Sequence, residues 1–205
     1  MSSTLTTLAM AANLKVDWCE YKAAKFAVEN WHYSECMPAI KNVNLGVWEN
    51  GEFIGAVVFS RSANANLGKM FGLDQSEYAE LTRVALTEHK SPVSQIVSYA
   101  MKMLQKKDEG MKCLFSYADP VQDHTGGIYQ AMNWYYLGRG SKSRVGKVKG
   151  TEDWKHSRQI QRLVQTGRAD RENIEWKHVP GKHKYVYPLD DEIEAKVKDM
   201  AKPYP

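Results

Sequence analysis

The segment from Glu80 to Gln105 constrains the fold most strongly, because its pattern predicts a buried strand, a short polar loop and a helix. Apolar and β-branched residues dominate positions 81–86, which favours the strand. Ser91 is a good N-cap, Pro92 suits the first helical position, and apolar residues recur at helical spacing up to Leu104. Free backbone N–H groups at such a loop can bind an anion or a polar carbonyl. Such units are common in α/β proteins, so a donor-binding role needs further support.

Composition limits the setting in which the chain works. Its 205 residues, 43% of them hydrophobic, are enough for one domain with a substantial core. The first thirteen residues lack the charged start and long apolar run of a signal peptide, and no membrane span is predicted. Three widely spaced cysteines, Cys19, Cys36 and Cys113, favour free thiols in a reducing compartment. We therefore expect a cytoplasmic protein.

Positive charge is concentrated in one part of the chain. Residues 139–184 contain thirteen Lys+Arg and five Asp+Glu, a net charge of +8, whereas the whole chain carries +4 and the remainder therefore −4. Trp154 and Trp176 lie among these basic residues. Cations beside aromatic rings suit a polyanion such as nucleic acid, with phosphates on the cations and bases on the rings. The alternative is a solvated, mildly basic surface.

The order of predicted elements gives the fold class. The dipeptide Asn50-Gly51 between two apolar runs predicts a β-hairpin. Strands at 81–86 and 114–117, joined by the predicted helix, should be parallel neighbours. The fold class is α/β (α+β), with a central sheet of mixed direction. The remaining predictions are helices at 18–31, 128–133, 154–164 and 190–201, a strand at 134–137 and a turn at Pro180-Gly181.

Several short motifs occur in an order that resembles a known family. They are Trp31-His32-Tyr33-Ser34, Glu80-Leu81-Thr82-Arg83-Val84-Ala85, Ser116-Tyr117-Ala118-Asp119 and Gly127-Ile128-Tyr129. The chain resembles the GNAT acyltransferase superfamily and, within it, the Mom family of phage DNA-modification proteins. The resemblance implies a GNAT-like mixed sheet flanked by helices. It implies a catalytic core at residues 1–140 and, at 141–205, a basic C-terminal extension of the same domain that contacts DNA and ends in a helix.

The family resemblance also implies an activity. Members place a carbamoylmethyl (glycinamide-like) group on adenine N6 of double-stranded DNA, which protects phage DNA from restriction in the bacterial host, and iron is the implied cofactor. The loop from His89 to Ser94 has proline and serine where acyl-CoA enzymes of this fold have glycines that close on a diphosphate. Acetyl-CoA is therefore not expected as the donor, and the donor is unknown. Ser91, Ser94 and Arg83 are the predicted donor-binding residues.

Asp119 and Tyr129 are the strongest catalytic candidates from their positions. Asp119 follows a strand end, where α/β sheets present catalytic groups, and could accept a proton or bind a metal, although it could also only cap a turn. Tyr129 could protonate a leaving group or be a core tyrosine. Arg83 lies in an apolar strand, where a charge is costly unless it is functional or paired, for example with Asp119.

The motifs add three more catalytic candidates, His32, Tyr33 and Ser116. His32 and Asp119 could contribute to a histidine–carboxylate iron site, although their spacing carries no metal signature of its own. A base that is modified at N6 must leave the duplex and enter a pocket. The predicted residues on the DNA side are Trp48, Trp134, Tyr135 and Tyr136 for the base and Arg139, Lys142, Arg144, Lys147 and Lys149 for phosphates.

Two other functions remain open from the sequence. One is a GNAT-type N-acyltransferase that acts on a protein or small-molecule amine. The other is a DNA-binding protein without catalytic activity, for which the basic region alone would suffice. The oligomeric state is open as well, with a homodimer as one option.

Overall fold

The computed structural model of the chain describes residues 13–62, 64 and 66–205. The prediction that no signal peptide is present concerns residues that lie mainly outside this part. The helices are α1 (Tyr21–Trp31), α2 (Val93–Lys107), α3 (Gly127–Ala131), α4 (Ser157–Gln165) and α5 (Asp191–Met200). The strands are β1 (Leu14–Trp18), β2 (Asn42–Glu49), β3 (Glu52–Ser60), β4 (Tyr78–Leu86), β5 (Cys113–Ala118), β6 (Tyr135–Arg139), β7 (Ser143–Val148), β8 (Lys155–His156), β9 (Ile174–Val179) and β10 (His183–Pro188). Among the described residues, no helix is long and apolar enough to cross a membrane.

Seven strands form one mixed sheet in the order β1-β2-β3-β4-β5-β10-β6. Only β4 and β5 are parallel, and the other neighbours in this sheet run antiparallel. The hairpin predicted at Asn50-Gly51 connects β2 and β3, with both turn residues at positive φ. The prediction of an α/β fold with a mixed central sheet flanked by helices is confirmed.

The parallel pair β4 and β5 separates part-way along its length. The two strands are hydrogen-bonded only where Tyr78–Leu81 faces Cys113–Ser116. Beyond Leu81, β4 continues beside β3 alone, so an opening forms between β4 and the end of β5. Helix α2 connects the two strands and buries one apolar face on the sheet, as its periodicity predicts.

The start of α2 differs from the prediction. Pro92 is the N-cap, with extended backbone and no side-chain cap, and the helix begins at Val93. Ser91 does not cap the helix, because its hydroxyl donates a hydrogen bond to Glu49 Oε1 at 2.6 Å. The cap prediction was wrong because it considered local partners alone, whereas the carboxylate comes from 42 residues away.

The N-terminal helix is also shorter than predicted. Residues 14–18 form β1, which pairs antiparallel with the end of β2, and α1 begins only at Tyr21. Leu14 and Val16 alternate toward the main core in this edge strand. The strand is only five residues long and includes charged residues. Its alternation of apolar and polar residues is therefore too short to predict a strand from sequence.

The C-terminal third of the chain contributes to both sheets. Strand β10 lies between β5 and β6, and Tyr185 and Val186 on it are fully buried. The predicted turn at Pro180-Gly181 connects β10 to β9, which belongs to a separate three-stranded antiparallel sheet of order β8-β7-β9. Residues after 140 are therefore more than an extension, because they complete the central sheet and then build a small second one.

The burial of β10 predicts that stability depends on this strand. Val186→Ala should lower the free energy of unfolding by about 2 kcal/mol, because the methyl groups that it removes are completely buried. Chemical denaturation measures this change. Val121→Ala is the matched control, since Val121 is 44% exposed and should change stability by less than about 0.5 kcal/mol. Equal effects of the two substitutions would contradict the central position of β10.

Candidate functional site

A cavity of about 620 Å³ occupies the opening between β4 and β5. Residues from five parts of the chain line it: the end of α1 and the following loop, the second half of β4, the loop before α2 with the first residue of that helix, the end of β5, and the segment that leads into α3 and begins it. Its volume lies within the range of about 300–1,000 Å³ that is typical of small-molecule sites. Of the residues predicted from sequence, His32, Tyr33, Arg83 and Tyr129 line this cavity.

Ser116 stands at the point where the two strands separate. Its Oγ is 2.8 Å from the Leu81 carbonyl oxygen and 2.7 Å from the Tyr129 hydroxyl. Because a carbonyl can only accept, the Ser116 proton goes to Leu81, and the Tyr129 hydroxyl donates to Ser116. Burial raises the pKa of Tyr129 to about 12. Tyr129 is therefore a neutral phenol at physiological pH, with the lone pairs of its oxygen still available.

Arg83 brings a positive charge to the cavity wall. Its Nε donates to the Cys36 carbonyl at 3.1 Å and its Nη1 to the Thr82 carbonyl at 2.7 Å. These two bonds fix the guanidinium and leave three of its five N–H donors. Arg83 forms no ion pair within the part of the chain that the structure describes. A fixed cation with free donors suits a carbonyl or carboxylate of a bound molecule.

His32 is an uncharged hydrogen-bond donor in this cavity. The backbone N–H of Ser34 donates to His32 Nδ1 at 3.1 Å, so the proton of the neutral ring is on Nε2. Burial, together with the charges of Arg83, His124 and Lys182, lowers the pKa of His32 to about 3. The ring stacks on Tyr33, with 4.3 Å between ring centroids. Its orientation and tautomer are therefore both set by neighbours.

Comparison with known proteins places this fold and cavity in a family. The family model described as "Mom protein family" matches residues 13–205. The chain belongs to the Mom protein family. A relative, the methylcarbamoylase mom of Escherichia phage Mu, is 26% identical over 129 residues, which are 61% of this chain and 54% of that protein. The match thus spans about half of the relative's length. The family resemblance seen in the sequence is confirmed.

Solved structures show the same fold at low sequence identity. FeeM, an N-acyl amino acid synthase from uncultured soil microbes, aligns with a TM-score of 0.50 and 10% identity, covering 92% of this chain and 96% of its own. An N-acetyltransferase from Staphylococcus aureus Mu50 aligns with a TM-score of 0.49 and 12% identity, covering 86% and 97%. The alignment with FeeM confirms the predicted fold of this Mom family member.

Asp119 lies outside the cavity of this Mom family member. Its Oδ2 pairs with Lys182 Nζ at 2.8 Å, and its Oδ1 accepts from the backbone N–H of Val121 at 3.0 Å, where it caps a short 3-10 turn. Asp119 therefore does not share the cavity of Arg83 and Tyr129, and the suggested pair of Arg83 with Asp119 is wrong. The Asp119 carboxylate instead caps a turn, which is the alternative role that the sequence analysis considered.

The placed residues do not form a ligand set for iron. His32 Nε2 carries the ring proton, because Nδ1 accepts from Ser34, and Asp119 is engaged by Lys182. Among residues 13–62, 64 and 66–205, no three His, Cys, Asp or Glu side chains lie close enough together to hold a metal. Iron stays a prediction from the family resemblance.

A carboxylate of the chain itself occupies the loop before α2. Glu49 accepts hydrogen bonds from the backbone N–H groups of Lys90, at 3.0 Å, and Ser91, at 2.8 Å, in addition to the Ser91 hydroxyl. The Ser91 hydroxyl and the N–H of Lys90 lower the pKa of Glu49, so it is ionised near neutral pH. Neither Ser91 nor Ser94 lines the cavity. Their predicted donor-binding role lacks support from this placement, because the Ser91 donors are already used.

The aromatic residues at the cavity are not those expected from sequence. Trp134 is fully buried in the core, and neither Trp48, Tyr135 nor Tyr136 lines the cavity. Trp31 and Tyr117 do, together with Tyr33 and Tyr129. Neither Trp31 nor Tyr117 was identified from sequence as a cavity residue, although both lie within the family motifs.

Two further ionisable residues lie near the cavity: His124, which the sequence suggests as another ligand of the iron site, and Glu80. His124 lines the cavity, and its ring packs edge-on against Tyr33 with 5.7 Å between centroids. Burial raises the pKa of Glu80, which the Ser62 hydroxyl and the charges of Arg83 and Lys182 oppose. Glu80 lies inside the Glu80-Leu81-Thr82-Arg83 motif, but the hydrophobic pattern of the sequence could not show that its side chain is half-buried.

The five basic residues predicted to contact DNA have different surroundings. Arg139, Lys142, Arg144 and Lys149 are exposed, and Arg144 stacks on Trp176 at 4.1 Å from the ring centroid. Lys147 is different, because only 12% of its side chain is exposed and it pairs with Glu152 and Glu175. Four of the five therefore remain available for phosphate, whereas Lys147 has partners within the small sheet.

The depressed pKa of His32 predicts acid sensitivity. Between about pH 6.5 and pH 3 the unfolded chain binds a proton at His32 and the folded chain does not, so stability falls as the pH drops through this window. His32→Asn should make the free energy of unfolding less dependent on pH there, as measured by urea denaturation at several pH values. His178→Asn, at an exposed histidine, is the control and should keep the wild-type dependence. An unchanged slope in His32→Asn would contradict a neutral His32.

Proposed function

We propose that this Mom family member is a phage DNA-modification transferase that places a carbamoylmethyl group on adenine N6. The single observation that carries the proposal is the cavity where β4 and β5 separate, with Arg83, His32 and Tyr129 at its wall. The methylcarbamoylase name of the phage Mu relative supports the kind of group that is transferred. The expected setting is the cytoplasm of the bacterial host, where phage DNA is modified before restriction can act.

The substrate base reaches the cavity by leaving the duplex. Flipping a base costs a few kcal/mol, so contacts of the pocket with the ring and the edge of the base must compensate for the lost stacking and pairing. Trp31, Tyr33 and Tyr117 supply aromatic surface for stacking. The His32 Nε2–H can donate to a ring nitrogen of adenine, which has only acceptors on its ring. Exposed Arg139, Lys142 and Arg144 would hold flanking phosphates.

The transfer uses Arg83 on the donor and Tyr129 at the reacting centre. Arg83 binds the carbonyl of the donor group through its free N–H donors. Adenine N6 then attacks the methylene carbon, a new N–C bond forms, and the bond from that carbon to the leaving group breaks. Tyr129 gives its proton to the leaving group, and the resulting phenolate takes the proton that N6 loses. Before the transfer, the hydrogen bond to Ser116 holds the phenol in place, and in the reaction its proton moves from Ser116 to the leaving group.

An acyltransferase that uses coenzyme A on another amine is the weaker candidate. Enzymes of that kind need the backbone N–H groups of the loop before α2 to bind a diphosphate. In this chain Glu49 already accepts from two of these groups, and Pro92 has none to offer. A second anion beside an ionised carboxylate would be repelled. The geometry of the loop therefore favours a donor that binds through Arg83 instead.

Mass analysis of nucleosides tests this function directly. DNA from cells that express the chain should contain a heavier adenine nucleoside with the added mass of a carbamoylmethyl group. Tyr129→Phe should reduce its amount roughly 100-fold or more, because the acid that protonates the leaving group is lost. Arg83→Lys should also reduce it, because a lysine keeps the charge but not the planar set of donors.

The control for the tyrosine variant is Tyr99→Phe. Tyr99 lies on the exposed side of α2, and its hydroxyl accepts only from Gln95 among the described residues, so the same atom is removed far from the cavity. This variant should modify DNA as the wild type does. Soluble wild-type protein with unchanged DNA nucleosides would count against the function, and full activity of Tyr129→Phe would count against the assigned role.

A further inference from the structure

Helix α4 presents an unusual set of side chains to solvent. Ile160 is buried and Leu163 and Val164 are half-buried, and the helix packs on β7 of the small sheet. The opposite face carries Arg158, Gln161, Arg162 and Gln165, all exposed. Their spacing of three, four and seven residues puts them on one stripe. None of the four side chains makes a hydrogen bond or ion pair within the described part of the chain, so their donors and acceptors are unused.

We propose that this exposed face of α4 reads base-pair edges in the major groove of the substrate DNA and sets the sequence in which the modified adenine lies. The inference deepens the proposed function and rests on it for the identity of the partner. Arginine pairs in a bidentate manner with guanine, and glutamine with adenine, which are the two commonest forms of direct readout. A face made only of these two residue types matches that chemistry more closely than it matches an acidic protein, for which glutamine would add nothing.

Charge and dimensions agree with a helix in the major groove. Helix α4 contains no acidic residue, and exposed Arg168 follows it by about one turn. From Arg158 to Gln165 the helix rises roughly 10 Å, close to the length of three base pairs. The groove is about 12 Å wide and admits an α-helix. Exposed Arg144, Lys142 and Lys149 are then available for the neighbouring phosphates.

The start of α4 is within electrostatic reach of residues beside the cavity. His156 is the N-cap of α4, and the charges of Lys182 and Asp119 both reach it and influence its pKa. Lys182 pairs with Asp119, which directly follows the cavity residue Ala118, and its charge also reaches His32 inside the cavity. A duplex that lies along α4 can therefore deliver a flipped base to the cavity nearby.

Selection from a pool of duplexes with a random central segment tests the proposal without requiring catalysis. The full chain is equilibrated with the pool, and the bound fraction is sequenced. Wild type should enrich a short motif. Gln161→Ala/Arg162→Ala should lower that enrichment roughly tenfold or more at one or two positions, because each bidentate contact to a base provides about that discrimination. Binding to unselected duplex should fall much less, since most of it depends on phosphates.

Two further variants separate readout from charge. Gln105→Ala/Lys106→Ala removes the same kinds of group from the exposed face of α2 and should leave the motif intact. Arg162→Lys keeps the charge but loses the planar fork, so it should bind unselected duplex as the wild type does and still lose enrichment. A urea midpoint of unfolding equal to that of the wild type confirms that each variant is folded.

The outcomes distinguish this inference from the function on which it rests. A wild-type pool without enrichment, or the same motif in wild type and in both α4 variants, overturns sequence reading by α4. Modified adenine in cellular DNA would still support the transferase in that case. Conversely, a motif that depends on α4, together with unmodified nucleosides, would support the reading surface and reject the transferase.

Discussion

The hydrogen bond between Ser116 and the Leu81 carbonyl is the interaction on which the site depends. When two parallel strands separate, the backbone groups at the fork lose their partners, and a buried carbonyl without a partner is costly. The Ser116 hydroxyl supplies that partner at 2.8 Å. Because the same oxygen accepts from Tyr129, the group that satisfies the fork also positions the phenol. The opening is thus a stable feature of the sheet, and the reactive hydroxyl is held at its closed end.

The loop before α2 shows how a common scaffold acquires a different donor site. Its free N–H groups are an anion-binding feature of the strand-loop-helix unit, yet here Glu49 takes them and ties β2 to the start of the helix. The interaction has a structural role, since it satisfies buried donors beside a proline that offers no N–H of its own. Arg83 on β4 brings a guanidinium to the cavity wall. In the proposed function, the donor is therefore bound by this side chain and not by backbone amides.

Local signals account for what the sequence could predict, and distant partners account for what it could not. The Asn50-Gly51 hairpin and the periodicity of α2 are properties of neighbouring residues, and both were predicted correctly. His32, Arg83 and Tyr129 reached the cavity as the family motifs implied. The insertion of β10 between β5 and β6 depends on contacts across the whole chain. Asp119 was misplaced for the same reason, because its partner Lys182 lies much further along the chain, in the turn between β9 and β10.

The charge state of His32 connects these features to substrate choice. The ring is surrounded by the positive charges of Arg83 and Lys182, so a proton on it would add a third cation to a confined space. The Ser34 amide holds Nδ1 as an acceptor, which leaves a single N–H that points from Nε2. In the proposed reaction Arg83 binds the carbonyl of the donor group, which leaves the His32 N–H as a donor and the Tyr129 oxygen as an acceptor for a base with ring acceptors and an exocyclic amine. Thymine has no exocyclic amine, so it offers no nitrogen equivalent to N6 for the proposed transfer.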